Sequence, residues 1–171
     1  MAFTITDPTY DLIPEGYYDA MIIRAISTRT RNGTEYIAVD LLLDNGRQTT
    51  LPIWKIKNNP TQADIELGGW SARTVMALSK AVGMTAGMSF ASMEEWSRAL
   101  RGKHLQIYLE HETYQGQTRE RVTSTSLSTG KDMTAAIERY KARQTRQPAP
   151  APAPAPVPAS FAEVDDDDLP F

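Results

Sequence analysis

The two histidines, His104 and His111, are the first residues to consider for chemistry, because imidazole serves as a general base and as a metal ligand. Their spacing is odd, and in a strand an odd spacing places two side chains on opposite faces. We therefore expect two separate surface histidines and no metal site. The sequence has no cysteine, no Gly-x-x-x-x-Gly-Lys-Ser/Thr phosphate loop and no His-Glu-x-x-His motif. These absences favour a non-enzymatic protein that needs no cofactor.

Arginines and lysines are interleaved with aromatic residues in and around the predicted strands, in a pattern typical of single-stranded nucleic-acid binding. Cations follow a phosphate backbone, while rings stack on bases and contribute about 1–3 kcal/mol per base. The sequence leaves open an alternative in which Trp54 and Tyr108 merely cover the end of the fold and the charges are ordinary surface. The candidate contacts to single-stranded DNA are Arg29, Arg31, Tyr36, Arg47, Trp54, Lys55, Lys57, Tyr108, Tyr114, Arg119 and Arg121.

The charge is divided unevenly along the chain. All 18 Lys and Arg lie in residues 1–147, where 16 acidic residues leave a net charge of +2, while the last 24 residues carry five acids and no base. Four of these acids form a run that is followed directly by three apolar residues. We expect no metal site in this run, because an unstructured run gives a metal ion no fixed geometry. The phenylalanine ring can enter an apolar pocket of a partner protein, while the acids contact basic residues around that pocket. The candidate partner-binding tip is Asp165, Asp166, Asp167, Asp168, Leu169, Pro170 and Phe171.

Five predicted strands must position the candidate binding residues. From Gly16 a period of two places Tyr18, Ala20 and Ile22 on one face, and Ile26 joins them if the period holds. Pro52 cannot donate to a ladder, so it predicts an edge position or a bulge in the third strand. The Asn-Gly pair at residues 32–33 and the turn at residues 114–116 predict hairpins. The other strands are predicted over residues 36–43, 47–54, 103–112 and 119–127.

Helical spacing interrupts the strands after Pro60. It predicts a helix over Ser71–Val82 and a short helix opened by a capping box of Ser92 and Glu95. Trp70 and Trp96 in this region are expected in the core. A last helix is predicted over Met133–Arg143, capped by Asp132, and its basic residues are either solubilising charge or an arm on nucleic acid.

Three strands, helices and two further strands follow the order of an OB-fold, a small Greek-key barrel. The predicted fold class is mainly β, with a five-stranded OB-fold barrel, a helical insert between strands 3 and 4, a short C-terminal helix and a disordered Pro-Ala-rich and acidic tail. The expected units are a barrel over residues 1–130, a basic helix over 131–146, a Pro/Ala-rich linker over 147–160 and an acidic tip over 161–171. Alternating proline in the linker favours an extended polyproline II tether.

Two resemblances make these expectations specific. The acidic run followed by Leu-Pro-Phe resembles the C-terminal tip of bacterial single-stranded-DNA-binding proteins. The body resembles a group of phage and prophage single-stranded-DNA-binding proteins. The matching stretches are Pro14-Glu15-Gly16-Tyr17-Tyr18, the Asn32-Gly33 hairpin, Trp54 through Asn59-Pro60, Leu78-Ser79-Lys80-Ala81-Val82-Gly83 and Leu100-Arg101-Gly102-Lys103.

The resemblance implies an OB-fold protein that coats single-stranded DNA during replication or recombination of a bacteriophage or other mobile element. It implies that the tip recruits host or phage replication and repair proteins. With no signal peptide and no run of about 20 apolar residues, we expect a cytoplasmic protein of the bacterial host that does not bind membranes. A protein-interaction adaptor with an OB-like barrel and an RNA-binding OB module remain alternatives, and a homo-oligomer remains open.

Overall fold

The computed structural model describes residues 11–146, so the predicted linker over 147–160 and the acidic tip with its residues Asp165–Phe171 lie outside the described residues. The described chain is mainly β, with one antiparallel five-stranded sheet and four helices. The strands are β1 (Gly16–Arg29), β2 (Glu35–Leu43), β3 (Gln48–Trp54), β4 (His104–Tyr114) and β5 (Gln117–Ser126). The helices are α1 (Gln62–Glu66), α2 (Ala72–Ala81), α3 (Met93–Leu100) and α4 (Thr134–Arg146).

The strand order in the sheet is β3-β2-β1-β4-β5, and every neighbouring pair is antiparallel. The edges are therefore β3 and β5, so Pro52 lies in an edge strand as its missing N–H predicts. The hairpin between β4 and β5 turns at Gln115 and Gly116, both with positive φ, as a type I′ turn requires. The five predicted strands are thus confirmed, with ends that differ by a few residues.

Three helices lie between β3 and β4 in the chain. The second and third were predicted, and Ser71 and Ser92 cap them by accepting from the backbone N–H groups of Thr74 and Glu95. The first helix, α1, was missed, since five residues are too few to show a period. Its capping box uses Asp64, whose carboxylate accepts from Thr61 N and also from Ala72 N, at 2.8 Å each. One side chain therefore joins the starts of α1 and α2.

The main core lies between one face of the sheet and the helices α2 and α3. Strand residues with period-two spacing, such as Ile37, Val39 and Leu41, pack there against Leu78 and Trp96. The indole of Trp96 donates to Ser79 Oγ at 2.9 Å, which satisfies its polar atom inside the core. Trp70 belongs to the same cluster, so the prediction that both tryptophans are core residues is confirmed.

The placement of Ile26 on the core face is wrong. A bulge shifts the β1–β2 register between Ile22 and Arg24, and an extra residue in one strand reverses the faces that follow it. Ala25 consequently packs against the core, while Ile26 is 43% exposed on the opposite face of the sheet. We call this opposite side the outer face.

The helix α4 covers part of the outer face. Met133 and Ala136 are buried against Leu42 of β2, and Ile137 and Tyr140 pack around them. Asp132 accepts from Thr134 N at 2.9 Å and begins the helix as predicted. Within residues 11–146, no helix combines the length and the apolar character needed to cross a lipid bilayer.

Candidate nucleic-acid interface

An aromatic pair lies on the outer face, where β2 begins and β3 ends. Tyr36 and Trp54 are direct cross-strand partners, and their ring centroids are 4.9 Å apart with 35° between the planes. Trp54 is 43% exposed although its neighbour Ile53 is fully buried in the core. The alternation of the edge strand therefore turns one large ring toward solvent, where a flat ligand can stack on it.

Three cations lie at the same end of the sheet as the aromatic pair. Two of them share one carboxylate on the opposite face, where Lys55 Nζ also lies 5.4 Å from the Trp70 ring centre. Glu35 accepts from Arg29 Nη2 at 2.6 Å through Oε1 and from Lys55 Nζ at 2.7 Å through Oε2. Lys57 Nζ donates to Thr34 Oγ1 at 3.0 Å, which holds it beside the same hairpin. We call Arg29, Tyr36, Trp54, Lys55 and Lys57 the hairpin-end cluster. Arg31 lies in the turn of this hairpin and is exposed.

The charge state of Glu35 follows from its two partners. The hydrogen bonds from Lys55 and then Arg29 hold the pKa of this carboxyl below its ordinary value. Glu35 is therefore ionised at neutral pH and offsets part of the positive charge of Lys55 and Arg29. A phosphate that approaches Arg29 or Lys55 must compete with it.

A groove of about 610 Å³ runs from Trp54 between the two edge strands. Leu51 and Pro52 of β3 form one wall, and residues 121–125 of β5 form the other. The helix α2 contributes Arg73 to the lining, and Arg121 lies on the β5 side. Arg121 Nη1 is paired with Glu112 Oε1 at 2.9 Å. The groove thus joins the exposed ring of Trp54 to two further arginines.

The structure separates Tyr108 from the hairpin-end cluster. Tyr108 pairs with Tyr17 near the start of β1, with centroids 4.7 Å apart at 62°. Tyr36 pairs with Thr28 near the end of the same strand, about 36 Å of strand path away. The two tyrosines therefore form a second aromatic pair and are not part of one continuous row with Trp54.

The remaining candidates lie in two other places. Tyr114 and Arg119 are on the β4–β5 hairpin, where the Arg119 guanidinium lies 5.9 Å from the Tyr114 ring centre. Arg47 precedes β3, at the end of that strand opposite Trp54, and contacts Asp11 through a hydrogen bond and an ion pair. Arg47 is thus placed away from Tyr36 and Trp54.

The histidines make no joint site. His111 contacts the carbonyl oxygen of Ile13 through Nε2 at 2.7 Å, whereas His104 is exposed at the start of β4. Among the residues that the structure describes, no three His, Asp or Glu side chains are close enough to hold a metal ion.

Sequence reasoning missed three residues of these surfaces. Arg73 reaches the groove only because α2 lies over the gap between β3 and β5. An arginine on an exposed helix face is ordinary, so no local sequence feature marks it as a groove residue. Glu35 was overlooked because an acid next to predicted phosphate contacts is unexpected. Tyr17 was assigned only to a strand, although its register opposite Tyr108 follows from the β1–β4 pairing.

The described residues thus belong to the class of small antiparallel β proteins that present aromatic and basic side chains on an open sheet face and in an adjoining groove. The chain belongs to the family described as "Protein of unknown function (DUF669)", whose sequence profile matches residues 6–150. No curated protein matches the chain.

Proposed function

We propose that this protein is a non-catalytic, OB-fold single-stranded-DNA-binding protein of the phage or prophage type. The strand order β3-β2-β1-β4-β5 supports the OB-fold, since the barrel of that fold closes where β3 and β5 approach each other. Residues of both edge strands line the same groove here, and the helices α1 to α3 lie between β3 and β4. Both features support the proposal of a barrel with a helical insert.

The observation that carries the proposal is the exposed Trp54–Tyr36 pair, which lies at the same end of the sheet as the basic residues of the hairpin and next to the groove that Arg73 and Arg121 line. In the proposed complex, a base stacks on Trp54 while Arg29, Lys55 and Lys57 contact the phosphates on the hairpin side. Arg73 and Arg121 contact the strand as it continues through the groove. Stacking accepts every base, so the complex forms on any sequence.

The charge balance favours a single strand over a duplex. Residues 1–147 carry a net charge of only +2, which gives little overall attraction for the two phosphate backbones of a duplex. A single strand exposes its bases, and rings can then supply the affinity that charge does not. We propose that the protein coats such strands during replication or recombination, and that the tip at Asp165–Phe171 recruits host or phage partner proteins.

The test is a salt titration of tryptophan-fluorescence quenching with oligo-dT, oligo-U and duplex DNA on the full chain. We expect oligo-dT to bind most tightly, with log affinity falling by about 0.7 per phosphate neutralised for each tenfold rise in salt. Trp54→Ala lacks the reporting indole, so its affinity is measured by the fluorescence anisotropy of labelled oligo-dT; it should bind about fivefold or more weakly than the parent in the same assay, because one stacked base is lost. Met88→Ala is the matched control, since Met88 is an exposed apolar residue beyond the groove.

Two outcomes would replace the proposal. Absence of quenching at low salt would favour the protein-interaction adaptor. Equal or tighter binding of oligo-U would favour the RNA-binding module, because the groove chemistry is shared and only the 2′-hydroxyl differs.

A further inference from the structure

The bulge in β1 brings an arginine onto the outer face beside the aromatic pair. Before the bulge, Ile22 pairs with Leu41 and both are buried in the core. After it, Arg24 pairs with Asp40, and Asp40 in turn pairs with Thr50 of β3. Bulges re-aim side chains in this way and are common beside functional sites. Without the extra residue, the side chain at position 24 would point into the core.

Asp40 fixes the orientation of the Arg24 guanidinium. Arg24 Nε donates to Asp40 Oδ2 at 2.8 Å, and Nη2 lies 2.7 Å from the same oxygen in an ion pair, while Thr50 Oγ1 donates to Oδ1 at 2.8 Å. The Asp40 side chain is only 16% exposed, whereas that of Arg24 is 55% exposed. The second edge of the guanidinium, formed by Nη1 and Nη2, makes no hydrogen bond to a described residue. It therefore offers two parallel N–H donors in a fixed direction.

A shallow apolar strip separates this arginine from the aromatic pair. Ile26, Ala38 and Pro52 form the cross-strand row between Arg24-Asp40-Thr50 and Tyr36-Trp54. Rows that face the same way along a strand are about 7 Å apart. The outer face thus carries, in order, the rings on which a base can stack, the apolar strip and the guanidinium of Arg24. Beyond Arg24 the face is closed by α4, which covers Leu42.

We propose that Arg24, positioned by Asp40, is a base-reading residue that favours guanine within the bound strand. The inference rests on the proposed function and deepens it. Asp40 neutralises the charge of Arg24, which makes this pair a poor contact for phosphate alone. The free edge of the guanidinium matches the two acceptors of guanine, O6 and N7, which an arginine contacts together. Adenine offers N7 beside an amino donor, so it cannot satisfy both N–H groups.

The test compares full-length protein on oligonucleotides of equal length: oligo-dT, oligo-dT with a guanine at every third position, and the same strand with 7-deazaguanine. The last carries carbon in place of N7 and differs in one acceptor. We expect the guanine strand to bind about threefold or more tightly than its 7-deaza counterpart, because one hydrogen bond to a charged donor is lost.

Two variants test whether the preference for guanine comes from the Arg24–Asp40 pair. Arg24→Lys keeps the charge but not the fork, so it should bind oligo-dT normally and lose the difference between the two guanine strands. Asp40→Ala should lose it too, because the guanidinium is released. Arg98→Lys, an exposed change in α3, should keep it.

The outcomes separate this inference from the proposed function. If the unmodified protein binds oligo-dT but does not distinguish guanine from 7-deazaguanine, or if Arg24→Lys retains the difference, the guanine site is wrong and DNA coating stands. If the unmodified protein binds none of the strands, the proposed function itself is wrong.

Discussion

Glu35 is the residue whose charge acts most directly on the hairpin-end cluster. It holds Arg29 and Lys55 through its two carboxylate oxygens, and both cations keep its pKa low. Neutralising it leaves both cations free for phosphate. We predict that Glu35→Gln raises the affinity for oligo-dT by about threefold to tenfold at low salt, and less as salt screens the cluster. Fluorescence titration at several salt concentrations measures the change.

The control for this charge effect is Glu94→Gln. Glu94 is an exposed acid in the first turn of α3, away from the hairpin, so its neutralisation changes the total charge equally. If both variants bind alike, only net charge matters and the geometry of the cluster contributes nothing.

Asp19 is a buried carboxylate that ties the chain after β5 to the sheet. It accepts from Ser128 Oγ at 2.8 Å, from Thr129 N at 2.9 Å and from Thr129 Oγ1 at 2.6 Å. Burial raises the pKa of Asp19, but these hydrogen bonds and the charge of Lys131 outweigh it and lower the pKa below the ordinary 3.8. The ionised form is thus the one that stabilises the fold.

The depressed pKa predicts a loss of stability in acid. A carboxyl whose pKa is lower in the folded state stabilises the protein above its unfolded pKa, and this contribution disappears as the pH falls through the folded value. Asp19→Asn should lower the free energy of unfolding by about 2–4 kcal/mol at pH 7, because one buried amide cannot accept all three bonds. Urea unfolding should show the gap between variant and parent narrowing below about pH 4. A gap that is independent of pH would contradict the role of the ionised carboxylate.

At the scale of elements, α4 is part of the packed fold although the sequence suggests a separate basic unit. Met133 is 4% exposed and lies against Leu42 of β2, so the helix begins on the sheet. Its basic residues face outward except where Arg143 Nη2 donates to the Gly46 carbonyl at 2.7 Å. The helix itself was predicted, but its docking site on the outer face was not.

This packing predicts a measurable contribution from α4. Met133→Ala should lower the free energy of unfolding by about 2 kcal/mol, since a buried methionine is truncated. Lys141→Ala, an exposed change in the same helix, should stay within about 0.5 kcal/mol of the parent. Equal stability of the two variants in urea unfolding would mean that α4 does not hold to the sheet in solution.

At the scale of the whole molecule, the two parts of the chain have opposite charge. The last 24 residues carry five acids and no base, while residues 1–147 carry a net +2. We predict that the acids compete with DNA for the cations of the body. Deleting residues 161–171 should then tighten oligo-dT binding at low salt and have little effect at high salt.

The matched control for the deletion keeps the chain length. Replacing Asp165–Asp168 with asparagines removes four charges and retains Leu169-Pro170-Phe171. It should reproduce the effect of the deletion if charge is responsible. Unchanged affinity of both variants at low salt would contradict this competition.

The sequence by itself determined what depends on local patterns. Period-two alternation predicted the strands, and Ser71 and Ser92 predicted the starts of α2 and α3, because strand faces and helix caps are set by nearby residues. Pro52 predicted an edge position or a bulge in β3 for the same reason, and β3 is an edge strand. The exposure of Trp54 followed once the strand and its buried neighbour were known.

Tertiary structure decided which residues meet. The bulge that turns Arg24 and Ile26 outward depends on the pairing of β1 with β2, which no local pattern reveals. Arg73 joins Trp54 because α2 lies over the gap between two edge strands that are distant in sequence. Arg47 is a basic residue next to a predicted strand, like the other candidate cations, but it lies at the end of β3 opposite Trp54. Side-chain types define the available chemistry, whereas pairing register and packing decide which of them share one surface.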